Sequence, residues 1–147
     1  ASDVYKRQIE TCLRDGASAD KELPSADRIL CDVPCSGLGV LSRKPEIRYK
    51  DDLIDTDLAD IQYKILCESA KYLKKGGKLV YSTCTLNPQE NNINTAKFLA
   101  EHNDFEGVEL ELPPKLKRAF DEKPYEITLM PHTFDGDGFY IAVLTRR

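Results

Sequence analysis

Two short apolar runs, Arg28-Ile29-Leu30-Cys31 and Lys78-Leu79-Val80-Tyr81, interrupt a mixed pattern and predict buried strands over residues 28–32 and 78–83. Between them Ile54, Leu58, Ile61, Ile65, Ala70 and Leu73 recur at steps of three to five residues, predicting an amphipathic helix over 54–74. Lys71, Lys74 and Lys75 suit its negative end, and Gly76-Gly77 offers a stop. Asn87-Pro88-Gln89-Glu90 has the order of an N-cap, a first-turn proline and a third-position glutamate. This capping box opens a second helix, which carries Ile93, Ala96 and Leu99 and ends near Asn103. Residues 105–112 alternate as a strand until Pro113-Pro114, and 126–130 and 139–145 predict two more strands around Asp135-Gly136-Asp137-Gly138. Ile9-Glu10-Thr11-Cys12-Leu13 alternates too and stops at Arg14-Asp15-Gly16. Residues 34–52 read as one long loop, a length that usually signals function.

Strand, helix, strand, helix and then strands alone predict an α/β fold with a parallel sheet and an antiparallel edge hairpin. Two parallel strands are thin for a doubly wound sheet, so part of that sheet is expected to be absent. Residues 1–8 fit no element and are set aside as frayed or foreign, which leaves 9–147 as a partial domain.

Composition narrows the function classes. At 147 residues and 41% hydrophobic, the chain can bury a core, and no apolar run approaches the ~18 residues a membrane span needs. Five cysteines without framework spacing favour reduced thiols and a cytoplasmic protein. With 21 basic against 25 acidic residues the net charge is −4, so any nucleic-acid contact is expected from a local basic face or from a part of the protein outside this sequence. Arg43, Lys44, Arg48 and Lys50, with Tyr49 among them, form a basic-aromatic cluster able to hold a phosphate backbone and stack a base.

The candidate chemistry sits just past the two predicted strands, in Asp32-Val33-Pro34-Cys35-Ser36-Gly37 and Ser82-Thr83-Cys84-Thr85. The rim beyond the strand carboxyl ends is where open α/β sheets bind ligands. A cysteine there is a candidate nucleophile if a helix end or a cation lowers its pKa. Cys84 precedes a helix start, and Cys35 shares its loop with Arg43 and Lys44. Asp32 can bind an amino group or, if burial protonates it, donate a hydrogen bond. Cys12, Cys31 and Cys67 read as small hydrophobes. His102 and His132 are isolated and Cys31/Cys35 lack partner ligands, so no metal site is expected. Gly37-Leu38-Gly39 is no dinucleotide fingerprint, since it lacks the third glycine and opens no helix.

These residues resemble a known family. Asp32 to Val40, followed by Arg43-Lys44-Pro45-Glu46-Ile47-Arg48, is similar to the fourth motif of the RsmB/Sun family of S-adenosylmethionine-dependent RNA cytosine-5 methyltransferases. Ser82-Thr83-Cys84-Thr85 with Pro88, Glu90 and Asn91 resembles their sixth motif, and Asp137-Gly138-Phe139-Tyr140 their closing strand. The resemblance implies the second half of a Rossmann-like methyltransferase sheet, with Cys84 as nucleophile, Cys35 as the thiol assisting product release, and Asp32 as the group holding the base edge. It further implies S-adenosylmethionine as cofactor, bordered by Asp15, Asp32 and Pro34, and 16S ribosomal RNA as partner, contacted by Arg43, Lys44 and Arg48. Gly16 and Val33 stand where alanine is more usual in the family. The glycine-rich cofactor loop and the RNA-binding region that precede these motifs in the family are not among these residues.

Residue chemistry alone does not say which cysteine attacks. In the related DNA cytosine methyltransferases the proline-cysteine loop supplies the nucleophile, which would be Cys35 here. A catalytically silent RNA-binding fragment and a thiol redox protein using Cys35 and Cys84 are the alternatives from other classes.

Overall fold

The computed structural model describes residues 11–18, 23–49, 56–118, 121–133 and 136–147. In chain order the elements are β1 (Ala26–Asp32), α1 (Thr56–Ala70), β2 (Leu73–Thr83), α2 (Asn92–Glu101), β3 (Phe105–Gly107), β4 (Glu126–Leu129) and β5 (Phe139–Arg146). Strand β1 runs parallel to β2, with Arg28 opposite Lys78 and Asp32 opposite Ser82. On its other side β2 pairs antiparallel with β5, from Lys78↔Thr145 to Thr83↔Tyr140. Both β3 and β4 lie antiparallel along the far edge of β5. The expected α/β sheet with parallel strands and an antiparallel hairpin is present, but β5 is an inner strand and its partners form the edge.

The core lies on one face of this sheet. Register places Leu79, Tyr81 and Thr83 beside Leu144, Ala142 and Tyr140, and all six are buried. Alternation along a strand sends every second side chain to the same face. Helix α1 covers β1 and β2 and touches α2 alongside it. Leu66, Ala70 and Phe98 supply the buried helical side of the core. Tyr81 and Tyr140 meet edge to face with centroids 6.3 Å apart, a favourable aromatic geometry.

Several boundaries differ from expectation. Helix α1 ends at Ala70, because the Tyr72 carbonyl accepts a hydrogen bond from Ala26 N–H at 2.8 Å and the chain enters the sheet. Lys74, Lys75 and Gly76-Gly77 therefore belong to β2, where the register shifts and Gly76 takes φ 73°, the mark of a bulge rather than a helix stop. The buried positions of α1 are Gln62, Leu66 and Ala70, whereas Ile61 is 43% exposed. In α2 they are Asn94, Thr95 and Phe98, and Ile93 faces outward. The strand expected over 105–112 shortens to Phe105–Gly107. Thr11 to Leu13 form no strand, and Leu13 is fully exposed. The long loop carries two short 3-10 turns, Leu38–Val40 and Pro45–Tyr49. Residues 1–8, Ile9, Glu10, Lys50 and Ile54 lie outside the described residues. No helix among the described residues is long and apolar enough to cross a membrane.

Candidate active site

Strands β1 and β2 end side by side because they are parallel neighbours, so the loops that leave them meet at one rim. The sulfurs of Cys35 and Cys84 lie 2.8 Å apart there, as free thiols, and the Cys84 N–H donates to Cys35 Sγ at 3.2 Å. Both side chains are partly exposed. Burial, followed by the neighbouring Cys84 thiol, pushes Cys35 up to about 12. Cys35 thus stays a thiol at neutral pH, without the lowered value that a nucleophile in that loop would need, and either sulfur can donate to the other. Cys31 behaves as read from the sequence: it is buried, its thiol lies 3.7 Å from Ser69 Oγ, and burial raises it to about 11.

The proline-cysteine loop is held down at several points. Gly37 adopts φ 76°, and a Cβ there would lie 2.9 Å from the buried Ile47, whose short turn packs beneath it. Gly39 N–H donates to the Cys84 carbonyl at 3.0 Å, while Gly138 N–H donates to the Gly39 carbonyl at 2.7 Å. A Cβ on Gly39 would come within 2.1 Å of the Gly138 oxygen, so this three-loop clasp requires glycine. Arg43 closes the same junction by an ion pair with Asp137.

Asp32 stands exposed at the rim, and Ser82 Oγ donates to its Oδ1 at 2.8 Å. Pro34 is exposed as a ring, but its carbonyl accepts from Gln62 Nε2 at 2.8 Å. Lys44 and Arg48 are exposed, and Tyr49 is 85% exposed, so this part of the basic-aromatic cluster faces outward. Arg43 is engaged by Asp137 instead.

Asp15 is not brought to this rim. Its carboxylate accepts from Ala17 N–H at 3.0 Å and Ser18 O–H at 2.9 Å, and these bonds, the backbone one most, lower its pKa. It borders a cavity of about 330 Å³ with Leu23, Pro24, Ala26, Ile29 and Tyr72, beside the amino end of β1. Asp32 closes the carboxyl end, about 20 Å away at the usual strand rise.

Sequence reasoning missed the residues that organise the loops. Glu90 does not complete a capping box: the Asn87 N–H donates to Thr85 Oγ1, and the buried Glu90 carboxylate turns toward Ser36 and Gln62. Asn87 does cap, accepting from Gln89 N–H at 3.1 Å, but the regular helix starts only at Asn92. A polar Gln62 at a buried helical position was the available signal.

The match to known proteins decides the family. The model for the 16S rRNA methyltransferase RsmB/F family matches residues 4–145. This chain belongs to that family. The probable ribosomal RNA small subunit methyltransferase B of Bacillus subtilis is 44% identical over 125 residues, covering 82% of this chain and 28% of the relative. The ribosomal RNA small subunit methyltransferase B of Sodalis glossinidius is 35% identical over 95% of this chain and 31% of its own length. Among solved structures, NSun6 from Pyrococcus horikoshii with SFG superposes with a TM-score of 0.79 at 28% identity, over 95% of this chain and 35% of that one. The sheet is accordingly part of a Rossmann-like methyltransferase fold. In RsmB/F terms the chain spans roughly a third or less of these relatives.

Proposed function

We propose that this chain carries the thiol chemistry of an S-adenosylmethionine-dependent RNA methyltransferase that modifies the 5-position of a cytosine in 16S ribosomal RNA. The observation that supports it best is the Cys35–Cys84 pair, with sulfurs 2.8 Å apart at the strand-end rim. Family membership and the named relatives support an RNA methyltransferase, and the relative solved with SFG, an S-adenosylmethionine analogue, supports that cofactor.

The Cys84 thiolate adds to C6 of the cytosine, and the electron pair displaced onto the ring makes C5 nucleophilic. S-adenosylmethionine, when bound, supplies the methyl group that C5 takes. A base from solvent then takes the C5 proton, the C–H electron pair re-forms the C5–C6 double bond, and the C6–S bond breaks to restore the thiolate of Cys84. Cys35 suits the release role by position, because its sulfur lies 2.8 Å from the sulfur that must depart. Burial and the neighbouring Cys84 raise the Cys35 thiol, which suits it less to attack in the manner of the DNA enzymes. Asp32 and Pro34, exposed at the rim, fit the border of a cofactor and base pocket, with Asp32 oriented by Ser82. Asp15 stands at the other end of β1 and lies outside this set. The exposure of Lys44, Arg48 and Tyr49 supports their contact with a splayed RNA strand, whose target base must leave its stack.

The test is methyl transfer by the protein that contains this chain, with nucleoside analysis of the RNA product. Cys84→Ala is expected to lower 5-methylcytosine formation by at least ~10³-fold, the scale of losing a covalent nucleophile. Wild-type activity in that variant, or a methyl group on another atom, would contradict the proposal.

A further inference from the structure

We propose that the consecutive residues Glu90 and Asn91 form a positioning pair that sets the separation of the two thiols, one residue gripping each cysteine loop on both sides of its cysteine. The Glu90 carboxylate accepts from Ser36 N–H at 2.9 Å and Ser36 O–H at 2.6 Å, directly after Cys35. It also accepts from Gln62 Nε2 at 2.7 Å, and the other hydrogen of that amide reaches the Pro34 carbonyl, directly before Cys35, at 2.8 Å. Asn87 Nδ2 supplies a fourth donor at 3.0 Å. Asn91 does the same for the other loop. Its Oδ1 accepts from Thr83 O–H at 2.6 Å and its Nδ2 donates to the Thr85 carbonyl at 3.0 Å, on either side of Cys84.

Proton directions lock the two grips together. The single Ser36 hydroxyl proton goes to Glu90, so Thr85 O–H, 2.7 Å away, must donate to Ser36. Asn87 N–H donates in turn to Thr85 Oγ1. Every donor in the chain thus points toward the buried carboxylate. Gln62 is held to the same polarity, because turning its amide would set oxygen against two acceptors. Its buried Oε1 has no hydrogen-bond partner among the described residues, so the fold leaves one polar atom unsatisfied to keep the grip on Pro34. Strand β2 fixes the pair from below: Tyr81 O–H donates to the Glu90 carbonyl at 2.7 Å. One rigid peptide unit therefore links the two brackets, with neighbouring Cα atoms about 3.8 Å apart. Two thiols that share one base need such fixed supports.

The inference deepens the methyl-transfer proposal, but its test needs neither RNA nor cofactor, so the two can fail separately. The chain is equilibrated with mixtures of reduced and oxidised glutathione, and the Cys35–Cys84 disulfide is quantified by peptide mass spectrometry. In the exchange the two thiols give up two protons and two electrons, and one glutathione disulfide becomes two glutathione thiols. The molar equilibrium constant measures how closely the thiols are held. Glu90→Gln, which keeps the volume but sets an amide donor against four donors, is expected to lower it at least ~10-fold, as is Asn91→Asp. Near-UV circular dichroism reports that each variant is folded. A folded variant of either kind with the wild-type constant overturns the inference, as does a wild-type pair that forms no disulfide. If Glu90→Gln does not fold, Gln62→Met, which releases the Pro34 side and removes one of the four donors to Glu90, is expected to lower the constant severalfold, and an unchanged value there overturns the inference equally.

Discussion

At the scale of single residues, burial at the rim and contact with Cys84 set how Cys35 titrates. Burial and the adjacent sulfur hold Cys35 up to about 12, against an ordinary value of 9.0. The sign of the linkage follows: a thiol whose pKa is raised in the folded chain contributes stability that is complete below 9.0 and is lost as pH rises through about 12. Cys31, raised mainly by burial to about 11, acts in the same direction. Burial likewise raises Tyr81 and Tyr140. Urea midpoints should therefore fall progressively between about pH 9 and about pH 11, and Cys35→Ala should fall less steeply than wild type. A midpoint flat across that interval would show that these groups ionise in place without cost.

At the scale of elements, the helix that covers the parallel strands is rotated from where its apolar pattern points. Ile61 was one of the positions expected inside, yet it is 43% exposed, while Gln62 and Leu66 are fully buried. The rotation brings the Gln62 amide to Pro34 and Glu90, so loop support takes precedence over burying one isoleucine. Leu66→Ala should cost about 2–5 kcal/mol in urea unfolding and Ile61→Ala less than about 1 kcal/mol. Reversed costs would restore the stripe read from the sequence. The contrast shows what a chain pattern can and cannot carry. Strands β1 and β2 and the loops after them were legible, because short apolar runs and the Pro34-Cys35 and Thr83-Cys84 steps are local signals. The partnership of Glu90 with Ser36 spans 54 residues and was hidden behind a plausible local role as a helix cap. The end of α1 was misplaced for a similar reason: Ala26, far upstream, captures the Tyr72 carbonyl and turns Leu73 into strand.

For the whole molecule, one sheet face is packed under α1 and α2, while on the other Leu30 is 71% exposed and Val80 and Val143 are half-buried. The rim is the best-tied region: the clasp of Gly39, Cys84 and Gly138, the Arg43–Asp137 ion pair and the Glu90–Asn91 supports all converge on two sulfurs. Such convergence suits a centre that must hold a base while a bond to sulfur forms and breaks. The unequal roles given to the two sulfurs are tested most directly by trapping that bond. The Cys35→Ala form of the protein containing this chain is incubated with 16S ribosomal RNA and S-adenosylmethionine, and the adduct is mapped by mass spectrometry. The expected result is RNA joined to Cys84 and accumulating because release is slowed. Normal turnover without an adduct, or RNA joined to any residue other than Cys84, would contradict the account.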